Sequence, residues 1–139
     1  MRTSGWTAVL ALLVATPAAA QSPVPDLRGT WKGQSESIVA GGGNPHHPGS
    51  PQSGVRLGSV SFTLTIAHQD GRRFSGTFSS ARSTESIIGV ISRSGTILSV
   101  DTDGYTLGTL LAPDRLEFCY LQLAPNARVA SCTEFIRQP

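Results

Sequence analysis

The chain has 139 residues, with eleven basic and nine acidic side chains, a formal net charge of +2 and only 6% aromatic residues. A charge so close to neutral gives no electrostatic basis for binding nucleic acid or an anionic membrane surface. The length suits one domain with a single core.

The first twenty residues resemble a cleavable secretory signal peptide. Arg2 precedes an uncharged apolar run from Trp6 to Val14, and small residues stand at Ala18 and Ala20. This pattern predicts cleavage before Gln21. The run is too short to cross a bilayer as a helix, which needs about 20 apolar residues, so we expect no membrane insertion. We therefore predict a signal peptide at 1–20, a mature domain at 21–139, and a periplasmic or secreted protein.

The mature sequence alternates between apolar and polar residues, and no segment has sustained helical periodicity. The clearest example runs from Val60 to Ala67, where every second side chain is apolar. Turn-forming pairs such as Asp70-Gly71 and Asp103-Gly104 separate such runs. The pattern predicts eight strands, at 30–39, 60–67, 73–80, 84–93, 96–102, 105–111, 115–123 and 128–137.

From Val60 onward every connection between predicted strands is short. Eight antiparallel strands in sequence order favour an all-β, up-and-down (meander) barrel, since closure leaves no exposed sheet edge. A β-sandwich is the main structural alternative, although it normally needs several long crossing connections.

The one long connection is the Gly/Pro-rich segment 40–58. It contains three consecutive glycines, the pair His46-His47 and three prolines. Because proline and glycine disfavour both helices and paired strands, we predict an exposed, flexible loop. Such a loop would act as a rim or lid for the barrel.

The two cysteines, Cys119 and Cys132, lie on either side of Pro125-Asn126. If those two residues form the tip of a hairpin, the cysteines face each other on neighbouring strands in a non-hydrogen-bonded pair. In an exported chain this arrangement predicts a disulfide. The same register points Tyr120 and Ser131 into the barrel, either as a polar pair in a filled core or as the floor of a small pocket.

Short motifs at both ends resemble those of the calycin barrels, which include the lipocalins and avidins. Gly29-Thr30-Trp31 is similar to the Gly-x-Trp motif that opens those barrels, and the segment 71–78 is similar to an avidin hairpin with a Gly-Thr-aromatic strand. The resemblance implies that a basic residue near the C-terminus, Arg137 or alternatively Arg128, packs across Trp31 and closes the base of the barrel.

The same resemblance implies ligand-facing positions at Ser37, Phe78 and Ser80. The mature chain has a single tryptophan, Trp31, so the other tryptophans with which avidins hold biotin have no counterpart. We therefore expect the scaffold to be shared and the ligand to differ.

Other reactive residues do not form a recognisable site in the sequence. His46 and His47 are adjacent and lack a third ligand at metal-site spacing, so we predict neither a metal nor a cofactor. No Gly-x-Ser-x-Gly motif is present. Glu117 and Glu134 face each other on the predicted outer surface, which is not typical of an acid–base pair.

These observations favour an exported, non-enzymatic binding protein with a small, partly apolar ligand at the barrel mouth. The predicted wall residues are Ser37, Phe78, Ser80, Tyr120 and Ser131. The alternatives are a protein-interaction barrel, such as an inhibitor of an exported enzyme that uses the long loop, and a structural envelope protein with a filled core. The volume inside the barrel distinguishes ligand binding from the other two.

Overall fold

A computed structural model describes residues 23–139, which form nine antiparallel strands. None of these residues is helical, so no helix among them could cross a membrane. The strands are β1 (Gly29–Gly43), β2 (Pro48–Gly58), β3 (Ser61–Asp70), β4 (Arg73–Ser79), β5 (Thr84–Ile91), β6 (Ile97–Val100), β7 (Tyr105–Ala112), β8 (Arg115–Ala124) and β9 (Ala127–Arg137).

Eight of these strands close into the predicted up-and-down barrel. Strands β3 to β9 follow each other in sequence order, and β1 lies between β3 and β9. The closing ladder between β1 and β9 is long, running from Trp31 opposite Arg137 to Gly41 opposite Ala127. The predicted fold class is therefore confirmed, and every strand of the barrel has a neighbour on both sides.

The lower half of the barrel, where β1 begins and β9 ends, is filled by apolar side chains. They form one contiguous buried cluster, as in a close-packed core. The fully buried members include Trp31, Leu64, Ile91, Leu116 and Phe135. The alternation of the sequence thus located the core correctly, since each of these side chains is on the inward face of its strand.

The last hairpin has the register predicted from its turn. Cys119 pairs with Cys132 and Tyr120 with Ser131 across β8 and β9. The two cysteines form a disulfide, and their Cα atoms are 4.0 Å apart, in keeping with the closer of the two antiparallel pair spacings. The predicted disulfide is confirmed.

The base of the barrel is closed by Trp31 and Arg137. The guanidinium carbon of Arg137 lies 4.0 Å from the centroid of the Trp31 ring, so the predicted stacking contact is present. Arg137 also donates hydrogen bonds to the backbone oxygens of Asp26, Arg28 and Pro113. It therefore attaches the segment before β1 to the closed end of the barrel.

The prediction that 40–58 is a loop without paired strands is wrong, although its residues 54–58 are exposed as predicted. Strand β1 continues to Gly43, and its upper part pairs with β2. Its lower part pairs with β3 along the same edge. Gly41 and Gly43 have φ values of 78° and 75° and allow the chain to turn here, and a Cβ atom on Gly41 would collide with the backbone oxygen of Asn126. The glycines thus shape a tight hairpin instead of loosening a loop.

The predicted signal peptide lies outside the described residues. The division of the chain at residue 20 therefore stays a prediction.

Candidate functional site

The tip of the β1–β2 hairpin, residues 44–47, folds over the upper end of the barrel. The side-chain oxygen of Asn44 accepts hydrogen bonds from the backbone N–H groups of His46, at 3.0 Å, and His47, at 2.6 Å. The Asn44 amide nitrogen donates to Gln122 on β8, at 2.8 Å. Asparagine commonly stabilises a turn in this way. Here the turn directs the imidazole rings of His46 and His47 into the upper opening of the barrel, its mouth. The two rings close this opening, and we call them the histidine plug.

His46 is 4% exposed and is surrounded by aromatic and polar groups. Its ring makes edge contacts with Phe62 and Phe78, at centroid distances of 5.3 and 5.7 Å. Its Nδ1 atom lies 2.7 Å from the hydroxyl of Ser80, which is hydrogen-bonding distance. Its Nε2 atom lies 3.4 Å from Oε2 of Glu85 without hydrogen-bond alignment, and it has no other partner in the described chain.

His47 is 3% exposed and lies deeper in the barrel mouth. Its ring is tilted against Phe62 and stacks on Tyr120, at centroid distances of 5.5 and 6.4 Å. Neither Nδ1 of His47 nor the hydroxyl of Tyr120 has a well-aligned hydrogen-bond partner among residues 23–139. Buried polar atoms without partners are uncommon because each costs roughly 1–3 kcal/mol, so they mark a site rather than ordinary core.

Burial keeps both imidazoles neutral at neutral pH. It lowers the pKa of His46, an effect that Asp101 and Asp103 partly oppose. Burial and the neighbouring His46 lower the pKa of His47 to about 4. A neutral imidazole has one nitrogen free to accept a proton, so the plug is composed of potential proton acceptors.

The carboxyl of Glu85 and the hydroxyl of Tyr120 complete the polar lining of the mouth. Burial, followed by the charges of Asp101 and Asp103, raises the pKa of Glu85. The same causes, with a contribution from Glu85, raise the pKa of Tyr120 far above its usual range. The mouth therefore disfavours additional negative charge inside the barrel.

A cavity of about 350 Å³ lies beside the plug, between the β1–β2 hairpin and the turn that joins β4 to β5. Its lining includes Ser37 and Val39, which share the inward face of β1 with Trp31, so it lies at the upper end of the barrel, above the filled lower half. Serine hydroxyls, apolar side chains, both plug histidines and two arginines line it. The members are Ser37, Val39, His46, His47, Pro48, Arg56, Gly58, Ser59, Val60, Ser61, Ser80, Ala81 and Arg82.

The structure separates the five predicted wall residues into two groups. Ser37 and Ser80 line the cavity. Phe78 and Tyr120 instead contact the plug imidazoles, and Ser131 is buried behind them on β9. The pairing of Tyr120 with Ser131 does not satisfy the tyrosine hydroxyl, so the expectation of a mutually satisfied polar pair is wrong.

Sequence analysis missed His46, His47 and Glu85 as members of the site. For Glu85 a signal was present, since it shares the inward parity of Ile87 and Ile91 on β5. For the histidines no local pattern indicated burial, and the expectation that they are solvated is wrong. Among the described residues no three histidine, cysteine or acidic side chains are grouped to hold a metal ion.

Comparison with known proteins adds little to this description. No protein-family model matches the chain, and no curated protein matches it. One solved structure to which it is similar is an S-type phycobiliprotein lyase from Guillardia theta, with 12% sequence identity and a TM-score of 0.37, over 81% of this chain and 89% of the lyase chain. The function therefore has to be argued from the site itself.

Proposed function

We propose that this chain is an exported binding protein that holds a small, partly apolar molecule in the cavity beside the histidine plug. The observation that carries the proposal is the lining of this cavity, where two buried imidazoles meet apolar side chains and two arginines in a volume of about 350 Å³, within the range of small-molecule sites, roughly 300–1,000 Å³. Hydroxyls of Ser37 and Ser80 and the guanidinium groups of Arg56 and Arg82 are among its lining side chains and can hydrogen-bond a ligand.

The lining defines the chemistry of the ligand. Val39 and Val60 provide an apolar wall, while Arg56 and Arg82 provide positive charge, and no carboxylate is among the described residues that line the cavity. Arginine donates in a planar fork that suits carboxylate and other acceptor groups. We infer that the ligand joins a short apolar part to a hydrogen-bond acceptor such as a carboxylate or an ester.

Export is part of the proposal. The disulfide between Cys119 and Cys132 is consistent with an oxidising compartment outside the cytoplasm. Mass spectrometry of the N-terminus of protein isolated from its source should find Gln21 as the first residue. A mature N-terminus at Met1 would contradict export through a cleaved signal peptide.

The binding test uses hexanoate as a probe, with hexanol and hexylammonium as matched neutral and cationic probes. In ¹⁵N-resolved NMR titrations we expect hexanoate to shift the amide signals of residues around the cavity, with weaker effects from the other two probes. Arg56→Gln should reduce the response, whereas Arg128→Gln, an exposed arginine outside the cavity lining, should not. Absence of localised shifts with all three probes would contradict the proposal.

A second candidate, the protein-interaction barrel, is favoured by the outer face of β5 to β8. Ile88, Val100, Tyr105 and Leu121 are direct cross-strand neighbours there, and each is 38–63% exposed. Such a contiguous apolar row is typical of an interface, and it can pack symmetrically against a second copy of this chain. Sedimentation velocity should then detect a dimer that Val100→Glu dissociates. The histidines of the segment 40–58 are buried and not available to a partner, whereas Val55 and Leu57 on β2 are 59% and 77% exposed.

A further inference from the structure

Ser80 and His46, which line the cavity, and Glu85, which lies beside His46 on β5, have the order of contacts found in serine hydrolases. The hydroxyl of Ser80 lies 2.7 Å from Nδ1 of His46, and Nε2 of the same ring lies 3.4 Å from Oε2 of Glu85. Catalytic triads are recognised by the geometry and the chemical roles of their residues, and they occur on unrelated folds. These residues are 34 and 39 positions apart from His46 in the sequence, so only the folded hairpin brings them together.

We infer that Ser80 is a nucleophile, with His46 as its general base and Glu85 as a positioning residue, and that the cavity hydrolyses small, partly apolar esters. The inference goes beyond the proposed function and depends on it only in that the cavity must admit a small acyl compound.

The position of Ser80 supports this assignment. Ser80 follows the last residue of β4, lines the cavity and is partly exposed, so its oxygen is on the side from which a ligand arrives. The backbone N–H of Arg82 donates to the same oxygen at 3.2 Å and holds it in place.

His46 has the properties that a general base requires. It is buried and neutral, so Nδ1 can accept the serine proton. Its Nε2 atom has no hydrogen-bond partner among residues 23–139, although Glu85 lies beside it. When the ring gains a proton, the attraction between imidazolium and carboxylate strengthens that contact, which stabilises the charged state.

The reaction can be written with its atoms balanced. The oxygen of Ser80 forms a bond to the ester carbonyl carbon while its proton moves to His46, and the bond to the alcohol oxygen then breaks as that proton passes to the leaving alcohol. Water next attacks the Ser80 ester, losing a proton to His46, which returns it to the serine oxygen as the carboxylic acid is released. The guanidinium of Arg82, which lines the cavity, is available to the oxyanion formed in both steps.

The first experiment uses a small alkyl fluorophosphonate, which forms a phosphorus–oxygen bond to an activated serine and releases fluoride. Intact mass spectrometry of the wild-type chain should show one added phosphonyl group, and peptide mapping should place it on Ser80. No labelling, or labelling of a different residue, would overturn the inference. Because this test uses the unaltered protein, it does not depend on whether a variant folds.

The second experiment measures hydrolysis of p-nitrophenyl acetate. Ser80→Ala should abolish hydrolysis and labelling, while Ser79→Ala is the matched control, since Ser79 bonds to Thr84 at an exposed position. His46→Gln should slow both reactions by about 100-fold or more. Glu85→Gln should lower kcat and leave KM unchanged, whereas a purely structural role would alter binding and melting together.

The two proposals can fail separately. Localised NMR shifts with hexanoate but no labelling of Ser80 would leave a binding protein and remove the catalytic assignment. Labelling of Ser80 without any response to hexanoate would support the nucleophile and contradict the proposed ligand chemistry.

Discussion

Burial of His47 should make the stability of the protein depend on pH. The imidazole has a pKa of about 4 in the folded chain against the ordinary value of 6.5. Because the folded state holds this group neutral, the unfolded state binds more protons between these two values. The stabilisation is therefore fully present above pH 6.5 and is lost as the pH falls toward 4.

The size of the effect follows from the two pKa values. At pH 4.5 the linkage relation gives a loss of roughly 2–3 kcal/mol relative to pH 7.5, out of a total stability of about 5–15 kcal/mol for a domain of this size. His47→Phe keeps a ring of similar size against Phe62 and Tyr120 and removes the titration. The variant should lose this share of the pH dependence and retain its stability at pH 7.5.

The assay is urea unfolding followed by tryptophan fluorescence at both pH values. The difference between wild type and His47→Phe measures this group together with its coupling to His46, since Glu85, whose raised pKa gives the opposite pH dependence, is present in both proteins. His68→Gln at an exposed histidine is the matched control. If wild type and His47→Phe lose the same free energy of unfolding between pH 7.5 and 4.5, the reasoning is refuted.

Three further predictions concern the barrel. Arg137→Ala should lower the free energy of unfolding by about 2 kcal/mol, through lost stacking and hydrogen bonds, and an unchanged melting temperature would contradict this role. Replacing both Cys119 and Cys132 by alanine should cost about 3 kcal/mol in denaturant unfolding, and non-reducing peptide mapping of the wild type should recover the linked pair. Gly33→Ala should destabilise the barrel by about 2 kcal/mol or more, because its Cβ would collide with the backbone of β9; a neutral result would mean that β1 and β9 can separate there.

Much of the barrel follows from local features of the sequence. Alternation along segments such as 60–67 places apolar side chains on one face, and pairs such as Asp103-Gly104 supply the turns, so the order and direction of strands need no long-range information. The disulfide also follows from local sequence, because Cys119 and Cys132 are spaced symmetrically about one turn and this spacing sets their register.

The histidine plug could not be predicted in this way. Proline and glycine indicate only the local conformational preference of the backbone. Here the upper part of β1 pairs with β2, and this pairing sets the conformation of the segment 40–58. His46 reaches Phe62 and Ser80, which are 16 and 34 positions away, so its burial depends on contacts that exist only after the barrel has closed. The local amino-acid composition does not predict such contacts.

The eight barrel strands, their sequential pairing and the cross-link of the last hairpin therefore follow from the sequence, since each depends on neighbours along the chain, whereas β2 does not. Only the tertiary structure decided that the barrel is filled below and plugged above, and that a serine, a histidine and a glutamate meet beside a cavity. The physical reason is that burial and proximity between distant residues are properties of the closed sheet, in which β1 brings the plug, β4 the serine and β5 the carboxylate to one end.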